Sequence, residues 1–360
     1  MHRRSFLLFG AGAGLYAGPL EDRIRRIEQR WLPVTSMAGD RVPAVSMAVF
    51  HDGQIEWARA YGVATTTGTL FQAASLSKPL AAMAALHMAQ HGNFGLDDNV
   101  NTKLKSWQVP DNEFTATAKV TVRGILSHTA GLTVPSFPGY DEDDEVPSVL
   151  EILDGKLPAR TLPVRVSQPP GAQFLYSGGG YTVLQVLLED RFGKAFPELM
   201  RRIVLQRLSL YTSTFEQPLP AESAARAAVG FHQNGRSYTG GWHTYPELAA
   251  AGLWTTPIDL AKFALEVQNT LAGKSAKVLE KSAAALMVTP HLGAYGLGFE
   301  TRPGWFGHGG ANAGYRCRLW AARDGSHGAA VMTNSDNGAK LVDRIFAAIA
   351  AESSWPAGLA

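Results

Sequence analysis

Apolar side chains recur at Leu20, Ile24, Ile27 and Trp31 with charges between them, a helical spacing that predicts an amphipathic helix over residues 19–33. The pattern changes to a strand over residues 43–50, a turn at His51-Asp52-Gly53-Gln54 and a returning strand over residues 55–61. Residues 75–91 are rich in alanine and methionine and apolar on nearly every face, which predicts a buried helix closed by Gly92. From residue 95 to residue 285 the pattern breaks into loops and short helices, with prolines clustered between 135 and 170. Thr256-Pro257-Ile258-Asp259 marks one clear helix start, with an N-cap hydroxyl, a first-turn proline and an early acid. Strand patterns resume at residues 297–301, 315–322 and 328–333, with Arg323-Asp324-Gly325 as a turn, and residues 341–350 close the chain as a helix.

Both ends therefore read as one antiparallel sheet with flanking helices, and the middle as a helical insertion. The expected fold class is α+β. One α/β domain comes from residues 19–90 and 290–355, and an α-rich domain from residues 91–289, with a site between them.

Composition changes this picture little. A chain of 360 residues has room for two such units, and 46% hydrophobic against 18% charged residues is an ordinary globular balance. The formal charge of +2, without a basic stripe interleaved with aromatics, gives no reason to expect nucleic acid or an anionic membrane as partner. The single cysteine, Cys317, excludes an intrachain disulfide and reads as a small buried strand residue. The acidic run at residues 141–145 lacks the alternating oxygens and turn glycine of a calcium loop. Arg3-Arg4 ahead of an apolar, glycine-rich run ending near Ala17 reads as an export signal of twin-arginine type over residues 1–18, addressing the protein to the periplasm; the alternative is an ordinary apolar arm. The run is too short to span a bilayer as a helix, so no stable membrane insertion is expected. Its glycines, Gly10, Gly12 and Gly14, lack the third glycine of a dinucleotide loop.

The chemistry is concentrated in three places. In Ala74-Ser75-Leu76-Ser77-Lys78-Pro79 a hydroxyl and an amine three residues apart share one face at the start of a helix. Serine is a weak nucleophile without a neighbouring base, and lysine becomes one when burial lowers its pKa. Ser-x-x-Lys alone is a common surface pair, but this one opens a helix that is apolar all round. The second element, Gln173-Phe174-Leu175-Tyr176-Ser177-Gly178-Gly179-Gly180, reads as a tight glycine loop able to bring backbone close to a ligand. The third is Gly307-His308-Gly309-Gly310-Ala311-Asn312. Competing chemistry is weaker: there is no Gly-x-Ser-x-Gly elbow, and His87 and His91 flank Met88 rather than the glutamate of a zinc-protease helix, so packing is the expected role of that pair.

In this order, with Leu126-Ser127-His128-Thr129-Ala130-Gly131-Leu132 and Ala251-Gly252-Leu253-Trp254-Thr255-Thr256 between and after them, the three elements resemble the serine β-lactamase and penicillin-binding-protein superfamily. The likeness spans residues 35–335 and leans toward class C β-lactamases, D-aminopeptidases and family VIII esterases. It implies a β-lactamase-like fold, Ser75 as nucleophile, Lys78 as its deprotonating partner and Tyr176 as base or proton shuttle. It also implies an oxyanion hole from the N–H groups of Ser75 and Ala311, and a strand carrying His308, Gly309 and Gly310 along the substrate. No metal or cofactor is implied. His128, in a turn that recurs in relatives, is expected to be structural and far from the proton relay.

Two departures bear on substrate. Gly178 stands where β-lactamases carry an asparagine, and His308 replaces a lysine that would pair with a substrate carboxylate. Both favour a carboxylesterase on small acyl esters. A D-stereospecific peptidase or amidase, and a weak β-lactamase or penicillin-binding protein, are the alternatives within the class; a non-catalytic binder of peptidoglycan fragments is the alternative outside it. With a neutral imidazole in place of a fixed cation, the site should depend on pH more than that of a lysine-bearing relative.

Overall fold

The computed structural model describes residues 19–31, 39–63, 65–353 and 355. The export-signal reading at residues 1–18 lies outside the described residues.

The alternating strand patterns at the two ends build one six-stranded antiparallel sheet. Its strands are β1 (Ala44–His51), β2 (Gln54–Gly62), β3 (Glu300–Arg302), β4 (Trp305–Asn312), β5 (Tyr315–Ala322) and β6 (His327–Thr333), in the order β2-β1-β6-β5-β4-β3. Chain start and chain end meet at the β1–β6 seam, where Val45 faces Thr333 and His51 faces His327. Residues along each strand alternate between two cores, as the period of two requires. The outer face, with Val45, Met47, Trp320 and Val331, is covered by helix α1 (Pro19–Trp31) and the C-terminal helix Gly338–Glu352. The inner face, with Ala48, Leu319 and Met332, joins the large core around the buried helix α2 (Ser77–Gln90).

Three local readings are revised. The strand expected at residues 297–301 forms only at Glu300–Arg302, and the glycine-rich stretch that follows is the eight-residue strand β4. Gly178-Gly179-Gly180 is no loop: it is the first turn of a fifteen-residue helix, α3 (Gly178–Phe192), capped by the Ser177 hydroxyl, which accepts the Gly180 N–H at 2.8 Å. The helix begun by Thr256-Pro257 runs to Leu271 and packs mainly on the sheet, with the helix Lys281–Val288 of the middle segment beside it. Among the described residues, no helix is long and apolar enough to cross a membrane.

Candidate active site

Ser75 lies in a single 3-10 turn, Ala74–Leu76, directly ahead of α2. Ala74 has a φ of 50°, the left-handed region that a residue with a Cβ enters at a cost of about 1–3 kcal/mol. The turn is braced by neighbours far along the chain. The Ala73 N–H donates to Leu253 O at 2.8 Å. The Ser77 hydroxyl donates to Ala74 O at 2.6 Å and accepts the Leu253 N–H at 2.9 Å.

Lys78, one turn on, is 2% exposed, and its Nζ donates to Ser75 Oγ at 2.9 Å and to Ala250 O at 2.8 Å. It forms no ion pair with an acid among the described residues, and burial brings its amine down to about 7. Tyr176 joins from the other side: its phenol stands close enough to the Ser75 hydroxyl to feel it, and its ring centroid lies 5.1 Å from Lys78 Nζ. Burial pushes this phenol up to about 12, against the opposing effect of the Ser75 hydroxyl. Amine, phenol and hydroxyl thus converge at one point, with the amine able to lose its proton near neutrality and the phenol keeping its own.

Strand β4 forms the facing wall. Gly310 runs so tight against the Ser75 turn that a Cβ there would stand 2.3 Å from Ala73 O and 2.4 Å from Cys317 Sγ. Cys317 is buried, its thiol pushed up to about 12 by burial and bonded to Ala73 O at 3.1 Å, which makes it a packing residue rather than a nucleophile. His308 is buried, with Nδ1 2.5 Å from Gly309 O and Nε2 2.7 Å from the Tyr295 hydroxyl. A proton on Nδ1 satisfies the carbonyl and leaves Nε2 to accept from Tyr295. Burial, then the neighbouring Lys78, hold this imidazole down to about 3, so it is uncharged at neutral pH. Asn312 closes the end of the strand, donating to Gln72 Oε1 at 2.7 Å and Ala251 O at 3.2 Å.

These groups open on a cleft of about 880 Å3 lined by Ser75, Tyr176, His308, Gly309, Gly310 and Ala311. The two arginines that also reach it are each paired with an acid, Arg316 with Asp336 at 3.2 Å and Arg318 with Asp343 at 2.5 Å. Gly178 does not reach the cleft: it is buried, and a Cβ there would meet the Phe137 ring at 2.7 Å. His128 is also not where expected. It lies beside the proton-handling groups, its ring centroid 4.2 Å from that of Tyr176. The His87 and His91 rings lie 4.3 Å apart, tilted by 44°, with His87 Nδ1 2.7 Å from Val278 O. Among the described residues, no three His, Cys, Asp or Glu side chains stand together so as to hold a metal ion. Ala250, Tyr295, Gln72 and Asn312 were not foreseen from the sequence; each acts through contacts between positions far apart in the chain.

Comparison with known proteins gives this geometry its relatives. Penicillin-binding protein 4 of Amycolatopsis lactamdurans is 27% identical over 321 residues, covering 81% of either chain. D-amino acid amidase of Ochrobactrum anthropi, complexed with L-phenylalanine amide, shares the fold with a TM-score of 0.71 at 22% identity, over 91% of this chain and 98% of that one. A class C beta-lactamase mutant does so with a TM-score of 0.70 at 19% identity, over 92% and 98%. The family model for Beta-lactamase matches residues 34–352, and the chain belongs to that family of serine hydrolases.

Proposed function

We propose that this protein hydrolyses small acyl compounds through an acyl-enzyme on Ser75, in a cleft between a sheet-bearing part (residues 19–90 and 290–355) and a helical part (residues 91–289). The observation that carries the reading is the hydrogen bond from Lys78 Nζ to the Ser75 hydroxyl, with the Tyr176 phenol beside the same hydroxyl.

In this reading neutral Lys78 takes the Ser75 proton as Oγ bonds to the substrate carbonyl carbon. The carbonyl oxygen becomes an oxyanion held by the N–H groups of Ser75 and Ala311, where one such donor is worth about 10²–10³ in rate. Tyr176, protonated at the outset, passes its proton to the leaving oxygen or nitrogen as that bond breaks. It recovers a proton from Lys78. A water then attacks the acyl carbon, its proton returning along the same route, and Ser75 leaves with its hydroxyl restored.

The cleft favours substrates without a carboxylate beside the scissile bond. His308 supplies no charge, and the cleft arginines already hold acids. Small esters come first, and amides of D-amino acids second, the latter supported by the likeness to D-amino acid amidase. Turnover of p-nitrophenyl butyrate, D-alanine amide and nitrocefin by the wild type and Ser75→Ala tests this. Ester turnover in the wild type and none in the variant is expected; equal rates in the two would remove the hydrolase reading, and nitrocefin as the best substrate would remove the ester preference.

A further inference from the structure

Tyr176 stands in an irregular stretch just ahead of α3, and one residue grips it from three directions. The carbonyl of His128 accepts the Leu175 N–H at 2.7 Å. Its Nδ1 accepts the Ser177 N–H at 3.1 Å. Its ring lies on the phenol ring, with an interplanar angle of 36°. The backbone N–H groups of both residues beside Tyr176, Leu175 and Ser177, are therefore tied to one residue, the first to its carbonyl and the second to its side chain. His128 holds a left-handed φ of 58°, a conformation disfavoured for most residues with a Cβ. Phe174, Tyr181 and Tyr295 close round its ring, leaving it 1% exposed.

The bond from Ser177 also fixes the tautomer. Nδ1 must present a lone pair, so the proton of the neutral ring sits on Nε2, which has no hydrogen-bond partner among the described residues. Charging the ring would protonate Nδ1, break the tie to Ser177 and set a second cation near Lys78.

We infer that His128 is the positioning residue of Tyr176, holding the phenol beside the Ser75 hydroxyl through both neighbouring residues and from the ring face. The inference rests on the Ser75 hydrolase reading. His128 touches neither substrate nor the reacting atoms, so its whole effect on rate passes through Tyr176.

The test is a double-mutant cycle on the full chain with p-nitrophenyl butyrate. His128→Leu removes the acceptor. His128→Asn restores an acceptor close to the place of Nδ1 and tolerates a left-handed φ. H128L should lose about 10²-fold in kcat, with KM changed less than about threefold, and H128N should stay within about tenfold of wild type. With Tyr176→Phe already in place, adding H128L should cost less than about threefold more. Losses that multiply, or an H128L enzyme as fast as wild type, overturn the inference. Should H128L not fold, ¹⁵N NMR of the wild-type ring decides: an unprotonated Nδ1 from about pH 5 to about pH 9 supports the inference, and a protonated one overturns it. A wild type that turns over nothing would sink the hydrolase reading itself, whereas turnover with multiplicative losses sinks only the role of His128.

Discussion

Burial alone brings the Lys78 amine down to about 7, and this sets the sign of the pH dependence. Below that value the amine is charged and has no lone pair for the Ser75 proton; above it the base is free. His308, at about 3, and Tyr176, at about 12, change charge outside the working range. In the proposed mechanism the pH dependence therefore belongs to the lysine rather than to the imidazole. On a neutral ester, kcat/KM should rise about tenfold per pH unit below about 7 and level off above it. A flat profile across that value would contradict Lys78 as base. The same burial leaves a mark on stability. The unfolded lysine holds its proton up to its ordinary value of 10.5 while the folded one sheds it near 7, so the unfolded state binds the extra proton between the two, and stability contributed here rises with pH across that window. In Lys78→Met, the rise of Tm between about pH 7 and about pH 9 should be smaller than in the wild type; an unchanged slope would mean that the amine is not depressed.

The elements differ in how much of them could be read in advance. Helix α2 announced itself through an apolar run that no surface helix carries, and β1, β5 and β6 through short apolar runs bounded by turn residues. Strand β4 did not, because Gly307, Gly309 and Gly310 interrupt the alternation. They are there for packing: Gly307 has the Trp320 ring 2.5 Å from where a Cβ would sit, and Gly310 has the Ser75 turn. Helix α3 stayed hidden for a related reason. Three glycines in a row read as a loop by propensity, yet the Ser177 cap starts a helix there, and Gly178 and Gly179 let it pass close to Phe137 and Thr133 O. Gly310→Val is the sharpest test of this scale. It should push the Ser75 turn away from β4, lowering Tm by a cost of about 1–3 kcal/mol and ester turnover by at least about 10²-fold. A variant with wild-type activity would show that β4 does not set the position of the nucleophile.

Over the whole molecule, the order of elements was legible and the meeting of distant segments was not. That both ends build one sheet followed from strand patterns at residues 43–61 and 297–333; that the residues between them form mostly helices and loops followed from the scarcity of such patterns there. Ser75, Lys78, Tyr176 and the strand at His308 were recognisable because three short motifs in a fixed order resemble a known superfamily. What surrounds them was beyond that reach. The carbonyl of Ala250 that holds Lys78 is 172 positions away, and the amide of Asn312 reaches 240 positions back to Gln72. His128 was placed far from the relay because a turn motif says nothing about which ring it will face once residues 128 and 176 fold together.

The most direct measurement is mass spectrometry of the intact protein and its peptides after exposure to a fluorophosphonate, which captures an activated serine. A single adduct on Ser75, forming faster above about pH 7 than below it and lost in Lys78→Met, is the predicted result. An adduct on another residue, or capture of Ser75 that ignores both pH and the loss of Lys78, would contradict the claim that these side chains make one reactive centre.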